Sequence, residues 1–268
     1  MENELLNELT SRSQLNDELW LKAQVVCSLG CKMAQTGAET RLVVKSMNDM
    51  AMYLGLVNPQ INYYRDSIQV YVNVGTVNAS AFKTINVHGF NLYAVTELTH
   101  LCNYVKEGKI TDPHKILRQI TEVKLIHYNK WFVISMESLA AAGFAYTNHG
   151  TLKVMFAAFF GGFLLMNIRI FLTQKGFFES FIFMVSAFFG STFAFLIAHF
   201  LLEASDTESS LSLMATSLLL VPGFPLVNGF LDLFKGYILN GVTRLATAFI
   251  LIASATIGLV CAIHLCGF

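Results

Sequence analysis

Charged side chains are scarce in this chain of 268 residues, because Asp, Glu, Lys and Arg make up 13% of it. An ordinary soluble domain carries about 25%. The deficit is uneven, since residues 1–124 hold 12 of the 18 Lys and Arg and 12 of the 18 Asp and Glu, whereas residues 131–268 hold 21 of the 23 Phe. This distribution predicts a polar N-terminal domain followed by a part that lies in a membrane.

The chain also lacks the patterns that mark several other classes of protein. Its net charge is zero and it has no basic tract, so nothing predicts binding to nucleic acid. The first 20 residues are acidic and have no apolar core, which argues against a cleaved signal peptide. The five cysteines are dispersed, and the spacing of Cys27 and Cys31 has no matching second pair of ligands. We therefore expect buried, reduced thiols.

Catalytic and cofactor motifs are missing as well. The sequence has no P-loop, G-x-S-x-G or H-E-x-x-H pattern. His88, His100, His114 and His127 share no spacing that is typical of metal ligands. The sequence thus predicts neither an enzyme nor a bound cofactor or metal, and it gives no sign of an ATP-driven pump.

Five apolar segments approach the length of a membrane-spanning helix, which needs about 20 residues to cross a hydrocarbon core of about 30 Å. Small residues recur within these segments, such as the "GG" at 161–162 and the "GS" at 190–191, and predict close packing between helices. An odd number of spans suggests a subunit that needs a partner. The predicted spans are about 131–148, 152–173, 178–202, 209–231 and 243–266.

The positive residues that flank these segments predict their orientation. If the N-terminus is cytoplasmic, the outer flanks hold Lys153 and the acidic loop around Asp206, and the C-terminus is periplasmic. The distribution favours a multi-pass protein of the cell inner membrane in this orientation. The inner flanks then hold Lys124, Lys130, Arg169, Lys175, Lys235 and Arg244.

The polar N-terminal region has signals for both helices and strands. Apolar periodicity predicts helices over 15–36, 39–54, 91–107 and 113–124, the last with Asp112 as N-cap and Pro113 as first residue. The run "INYYRDSIQVYVNVGTVNASAFKTINV" predicts three short antiparallel strands with breaks at "RDS" and "GTVNAS". We predict an α-helical polytopic membrane protein of about five transmembrane helices (127–268) with an N-terminal cytosolic α+β domain (1–126).

Two of the four prolines, Pro222 and Pro225, fall inside the fourth apolar segment, in "LLLVPGFPLVNGFLDLFKG". A proline inside a helix costs about 3 kcal/mol, so we expect one helical half to end at about Val221 and another to begin at about Pro225. Both prolines fall near the predicted midplane, where freed backbone groups need protein or trapped water. The N-terminus of a half-helix attracts a carboxylate, so this stretch, with Gly223, is a candidate substrate site.

Three polar residues follow this break. Asn228, Asp232 and Lys235 come after Pro225 at spacings of 3, 4 and 3, so all of them share one helix face. One hypothesis is a polar pathway that leads toward the cytoplasm. The alternative is a simple proline kink with an interfacial pair between Asp232 and Lys235.

Polar residues in the other predicted spans are functional candidates by default. Arg169, with Asn167 beside it, lies in the inner half of the second segment and is either a counter-ion for an anionic substrate or a side chain that snorkels to the interface. Glu137 lies about two turns into the first segment and is either a coupling site for protons or substrate or an interfacial carboxylate. Asp232 is a second candidate for proton coupling.

Three stretches resemble one protein family. "LLLVPGFPLVNGFLDLFKGYILNGVTRLATA" resembles the last part of the threonine/serine exporter (ThrE) family. "QTGAETRLVVKSMNDMAMYLGL" resembles its cytosolic signature of a glycine-led helix, and "INVHGFNLYAVTELTHLCNYVKEGKITDPHKILRQITEVK" resembles the segment before its first span. The likeness covers roughly residues 20–265 and is strongest toward the YjjP-like branch of the family.

The resemblance implies the larger half of a split exporter of succinate, a small dicarboxylate, paired in the inner membrane with a small YjjB-like membrane protein. Single-chain relatives export threonine and serine, which is the alternative substrate class. Those exporters usually carry an Arg-Val-Glu run after the glycine signature, whereas this chain has Leu42, Val43 and Val44 there with Arg41 out of register. This departure favours the dicarboxylate branch. Self-association into a homo-oligomer stays open.

Two hypotheses of another class also stay open. The N-terminal domain could carry out chemistry as a membrane-anchored enzyme, or it could act as a sensor or scaffold that binds a partner. The missing catalytic motifs and the number of apolar segments argue against both.

Overall fold

The computed structural model of the chain describes residues 2–86 and 89–267, so His88 lies outside the described residues. The chain forms two compact units. The first unit contains the residues up to Ile126 together with Asn228–Thr243, and the second contains His127–Val227 and the residues from Arg244 onward. We expected the segment Asn228–Thr243 in the transmembrane part, but it groups with the N-terminal residues. The assignment of 1–126 to the cytosol and 127–268 to the membrane stays a prediction.

The first unit contains helices and strands in the predicted order. Helix α1 begins at Glu2 rather than near residue 15, which corrects our expectation. The first 14 residues lack apolar periodicity, but they are rich in Glu and Leu, which favour helix by intrinsic propensity. The elements are α1 (Glu2–Gln35), α2 (Thr40–Tyr53), β1 (Gln60–Tyr63), β2 (Ser67–Val74), β3 (Val77–Thr84), α3 (Leu92–Lys106) and α4 (Pro113–Glu122).

The three strands form an antiparallel sheet in the order β1-β2-β3, which confirms the prediction. The second turn is shorter than the "GTVNAS" break, because β3 already begins at Val77 after a left-handed Gly75. Ile68, Val70 and Val72 alternate along β2 and are buried. Because strand side chains point to opposite faces in turn, this face of the sheet packs on the apolar side of α1 and forms the core of the unit.

Helix α4 begins as the sequence predicted. The side chain of Asp112 accepts a hydrogen bond from the backbone N–H of His114, and Pro113 is the first helical residue. Proline is tolerated there because the first N–H groups of a helix have no acceptor within it.

All five cysteines are free thiols, as expected. Cys27, Cys31 and Cys102 are buried in the first unit, and burial raises the pKa of Cys27 to about 11. Cys261 is exposed, which corrects the expectation of burial for that residue.

The second unit is built from helices. Helix α7 continues as a π-helical turn over Ile197–Leu201, and α8 continues as a 3-10 turn over Leu218–Leu220. Helices α9 and α10 pass from one unit to the other, because the unit boundaries fall inside them. The elements are α5 (Lys130–Thr147), α6 (Leu152–Gln174), α7 (Glu179–Leu196), α8 (Asp206–Ser217), α9 (Gly223–Phe234) and α10 (Ile238–Leu265).

Within the described residues, three helices are long and apolar enough to cross a membrane, namely α6, α7 with its π-helical turn, and α10. The bent pair of α8 and α9 adds a fourth if it forms one span. This count of three or four candidates is lower than the five spans expected from the sequence, so the number of crossings stays a prediction. Helix α5 occupies the first predicted span, but it is 18 residues long, carries Lys130 and Glu137, and is not among the candidates.

Small residues bring the helices of the second unit into close contact, as predicted. A Cβ atom on Gly161 of α6 would lie 2.5 Å from the Cβ of Ala194 on α7. A Cβ atom on Gly190 of α7 would lie 2.6 Å from the Cβ of Leu165 on α6. Helices α6 and α7 therefore approach so closely that larger residues at these positions would push them apart.

Gly258 and Gly143 offer a matched test of this packing. A Cβ atom on Gly258 of α10 would overlap the backbone carbonyl of Met184, whereas a Cβ atom on Gly143 of α5 would meet nothing within 4 Å. We expect Gly258→Ala to destabilise the purified protein by about 1–3 kcal/mol through overpacking. We expect Gly143→Ala to be neutral or slightly stabilising, because alanine favours helix. Thermal unfolding in detergent measures both, and equal melting temperatures would contradict the packing.

Candidate functional site

The two prolines break the fourth apolar segment, as predicted. Helix α8 with its 3-10 turn ends at Leu220, α9 begins at Gly223, and the two are bent by 55°. The N–H of Leu226 donates to the carbonyl of Pro222 at 3.2 Å and starts the new helix. Pro225 is thus the third helical residue and not the first, which corrects our expectation. It disrupts nothing there, because the N–H groups of a first turn have no helical acceptor.

The polar residues after the break contact the turn between α1 and α2, residues 36–39, and the first residue of α2. All these residues belong to the first unit. The side-chain amide of Asn228 donates to the carbonyl of Gly37 at 3.3 Å, the hydroxyl of Thr40 donates to Oδ2 of Asp232 at 2.8 Å, and Nζ of Lys235 lies 2.5 Å from Oε1 of Glu39.

Asp232 is the most buried of these polar groups. Asp232 and Thr40 are both 0% exposed, so their hydrogen bond is shielded from water. Because Thr40 is the first residue of α2, the carboxylate lies at the positive end of that helix dipole. A buried carboxylate needs such partners, since an isolated ionised group in the interior is strongly unfavourable.

Lys235 and Glu39 extend this contact toward solvent. Their side chains are 27% and 22% exposed. Lys235 follows the last residue of α9 and Glu39 precedes the first residue of α2, so each charge also suits the dipole of the adjacent helix end. The ion pair that Lys235 forms is therefore with Glu39 of the N-terminal region, a partner that the sequence hypotheses did not include.

Glycine turns shape both chain segments that meet here. Gly37 has φ +84° and ends α1, with the N–H of Ala38 bonded to the carbonyl of Met33. Gly236 has φ +85° and ends α9, with the N–H of Tyr237 bonded to the carbonyl of Asp232. Both are Schellman motifs, in which glycine adopts the left-handed conformation at little cost. They fix the directions in which the chain leaves the two helices.

The start of α10 adds two contacts to the same unit. The side-chain amide of Asn240 donates to the carbonyl of Tyr63 at 3.5 Å, and the guanidinium of Arg65 donates to the carbonyl of Thr243 at 3.4 Å. The segment Asn228–Thr243 is thus bound both to the α1–α2 turn and to the residues at the end of β1.

The remaining candidates lie in the second unit. The guanidinium of Arg169 lies 5.1 Å from the ring centroid of Phe183, and the carboxylates of Glu137 and Glu179 act on its charge. The side-chain amide of Asn167 donates to the carbonyl of Phe163 in its own helix at 2.8 Å. The contact that Arg169 makes is thus with the ring of Phe183, and Asn167 bonds its own helix.

Glu39 and Thr40 are the site residues that sequence reasoning missed. They lie in the "QTGAET" signature, where a glycine followed by Glu and Thr predicts only a helix end and a new helix start. In the described parts of the chain, 2–86 and 89–267, no group of three or more His, Cys, Asp and Glu could hold a metal ion.

Thr40 allows a direct test of the buried bond. We expect Thr40→Val to destabilise the protein by about 1–3 kcal/mol, because the Asp232 carboxylate loses a donor that water cannot replace. Thr40→Ser keeps the hydroxyl and should recover most of the loss. Thr96→Val on α3 removes a hydroxyl that donates to its own helix at an exposed position and serves as control. If thermal unfolding shows Thr40→Val to be as stable as the Thr96→Val control, the bond between Thr40 and Asp232 does not stabilise the protein as expected.

The chain is similar to known proteins over most of its length. A probable succinate transporter subunit YjjP of Klebsiella aerogenes is 30% identical over 236 residues, which cover 88% of this chain and 90% of that protein. The probable succinate transporter subunit YjjP of Escherichia coli K12 is 27% identical over 238 residues, 89% of this chain and 92% of that protein. No solved structure matches. The ThrE family, described as putative threonine/serine exporters, matches residues 24–266, and the chain therefore belongs to this family.

Proposed function

We propose that this chain is a subunit of an inner-membrane exporter of small carboxylates, with succinate as the first candidate, and that it acts with a small YjjB-like membrane protein. The observation that carries the proposal is the break between α8 and α9 in a candidate span, followed by the buried carboxylate of Asp232. The two relatives are named as probable succinate transporter subunits, which supports both the substrate and the need for a partner.

The carboxylate of the substrate would bind at the N-terminus of α9. The dipole of α9 favours negative charge at its N-terminus, and Pro225 contributes no N–H there that would have to be satisfied. Arg169 is the candidate counter-charge, and Glu137 interacts with it electrostatically. The full set of proposed pathway residues is Pro222, Gly223, Pro225, Asn228, Asp232, Lys235, Arg169, Asn167 and Glu137.

The contacts that α9 makes distinguish three residues of this set from the others. Asn228, Asp232 and Lys235 form the three polar contacts described above. These contacts hold the end of α9 against the α1–α2 turn. Protonation of Asp232 would remove its charge and weaken the bond from Thr40. We propose that release of this contact, with Asp232 as the proton-coupling group, accompanies transport.

The first unit also constrains the number of membrane crossings. Residues up to Ile126 and the segment Asn228–Thr243 belong to one compact unit, which supports a location of both on one side of the membrane. With both on one side, the chain between them crosses an even number of times. With α6 and α7 as crossings, either α5 and the α8–α9 pair both cross or neither does.

The packing of α5 favours crossing. Ala145 clusters with Val154 and Ala158 of α6, and Ile134 clusters with Leu165 and Met166, so α5 runs antiparallel along α6. Its 18 residues extend about 27 Å, close to the thickness of a hydrocarbon core. We propose that α5, α6, α7, the α8–α9 pair and α10 form five spans with a cytoplasmic N-terminus and a periplasmic C-terminus.

Labelling of single introduced cysteines tests this topology. In a variant without native cysteines, His149→Cys between α5 and α6 should react with a membrane-impermeant maleimide added to intact cells. Gly176→Cys between α6 and α7 should react only after the cells are opened. Labelling of Gly176→Cys but not His149→Cys in intact cells would exclude the proposed orientation.

Succinate efflux tests the function and the site. In cells that contain this chain and its small membrane partner, we expect all three of Pro225→Ala, Asn228→Ala and Asp232→Asn to lower efflux at matched protein levels. Asn228→Ala and Asp232→Asn should each lower it about tenfold, the effect of losing one good polar interaction. Pro225→Ala should lower it because alanine adds a backbone N–H at the proposed carboxylate site that would have to be satisfied. Val227→Ala changes an exposed neighbour on the same helix and should leave efflux unchanged. Normal efflux in all three site variants would reject the site assignment.

Export of threonine and serine is the second candidate, because the family description names these amino acids. The same cells loaded with threonine or serine decide between the substrates. Efflux of an amino acid without efflux of succinate would reject succinate as the substrate.

A further inference from the structure

The first unit contains an open cleft of about 480 Å³ that the proposed transport pathway does not use. It lies between the last turns of α1, the end of β3 and the last turn of α4, with Lys32, Lys83 and Thr121 among its lining residues. This volume is within the range of small-molecule sites, which starts at about 300 Å³.

The charged residues that line the cleft are both positive. Lys32 on α1 and Lys83 on β3 both line it and are half-buried, while its lining contains no Asp or Glu. Within the described parts of the chain, neither ammonium group forms an ion pair with a carboxylate. Two half-buried cations without a counter-ion favour binding of an anion, since opposite charge at close range stabilises both.

Both lysines also act on the Cys31 thiol, which lines the same cleft. Burial raises the pKa of the Cys31 thiol, and Lys83 and Lys32 oppose this rise. Cys31 lines the cleft between them, with its thiol donating to the carbonyl of Thr84 at 3.2 Å. Both positive charges therefore act on the same part of the cleft, although they come from different elements.

The rest of the lining suits a short ligand with apolar carbon atoms. The amide side chain of Gln35 supplies a donor and an acceptor. The ring of Phe82 is 56% exposed and offers an apolar wall. An anion with two charged ends and methylene groups between them would match two ammonium groups and this wall.

We propose that this cleft is a binding site for a small dicarboxylate, with Lys32 and Lys83 as its charged ligands. The choice of succinate as probe rests on the proposed function. Gln35 is the last residue of α1, and the turn that holds the end of α9 follows it directly, so the bound anion would regulate the contact between that turn and Asp232 from the cytosolic side.

Protection of lysine side chains from reductive methylation tests the proposal residue by residue. The purified full-length protein in detergent is methylated at increasing succinate concentration, at constant ionic strength, and the modified peptides are quantified by mass spectrometry. We expect succinate to protect Lys32 and Lys83 together and to leave the exposed Lys45 of α2 unprotected. In Lys32→Gln, half-protection of Lys83 should need about tenfold more succinate, because one charged hydrogen bond is lost.

Several outcomes would overturn the proposal. Equal protection of Lys45, or equal protection by sodium chloride, would show general screening. Protection of Lys32 without Lys83 would show an ion at the end of α1 and no shared site. If Lys32→Gln does not fold, Lys32→Arg keeps the charge and should retain protection of Lys83, and its loss would also count against the site. Protection without succinate efflux would reject the exporter proposal but support the dicarboxylate site in the cleft. Efflux without protection would reject the site in the cleft but support the exporter proposal.

Discussion

A carboxylate that is shielded from water must be satisfied by the protein, and in this chain that requirement falls on Asp232. Its partner Thr40 is 192 residues away in sequence, at the positive end of α2. The bond can be replaced only by protonation, by a cation or by another donor, since an ionised group left alone in the interior is strongly disfavoured. The position of the end of α9 is therefore tied to the α1–α2 turn.

The helices of the second unit are instead held together by close packing. Gly161 and Gly190 allow α6 and α7 to approach until side-chain atoms interlock, and such interfaces resist sliding. The break at Pro222 separates this rigid packing from α9, because no helical hydrogen bonds run unbroken across it. The directions of α8 and α9 are therefore not fixed by a continuous helix, and the two are bent by 55°.

Local signals explain what could be predicted. Asp112 and Pro113 start a helix through bonds that lie within three residues, and the alternation along β2 reports directly which face is buried. The α8–α9 break was predictable for the same reason, although Pro225 fell two positions further into the helix. Proline is most frequent at the first helical position, but the whole first turn tolerates it because the N–H groups there have no helical acceptor, so spacing alone does not fix which position it takes.

Long-range contacts explain what could not be predicted. The spacing of Asn228, Asp232 and Lys235 indicated a shared polar face, but a face does not specify what it meets. Glu39 and Thr40 look like an ordinary helix start, and only the fold brings them to α9. Helix α5 was counted among the spans predicted from the sequence, but with Lys130 and Glu137 in its 18 residues it is not among the candidate spans. Its packing along α6 depends on neighbours that composition does not describe.

The distance between Thr40 and Asp232 also has a consequence for synthesis. The ribosome completes α1, α2 and the sheet long before it makes the segment Asn228–Thr243 that belongs to the same unit. Helices α5 to α8, which include the candidate spans α6 and α7, are made in between, while the first unit is still incomplete. The unit closes only after the last turn of α9 has emerged, so its completion follows the synthesis of all the helices from α5 to α8.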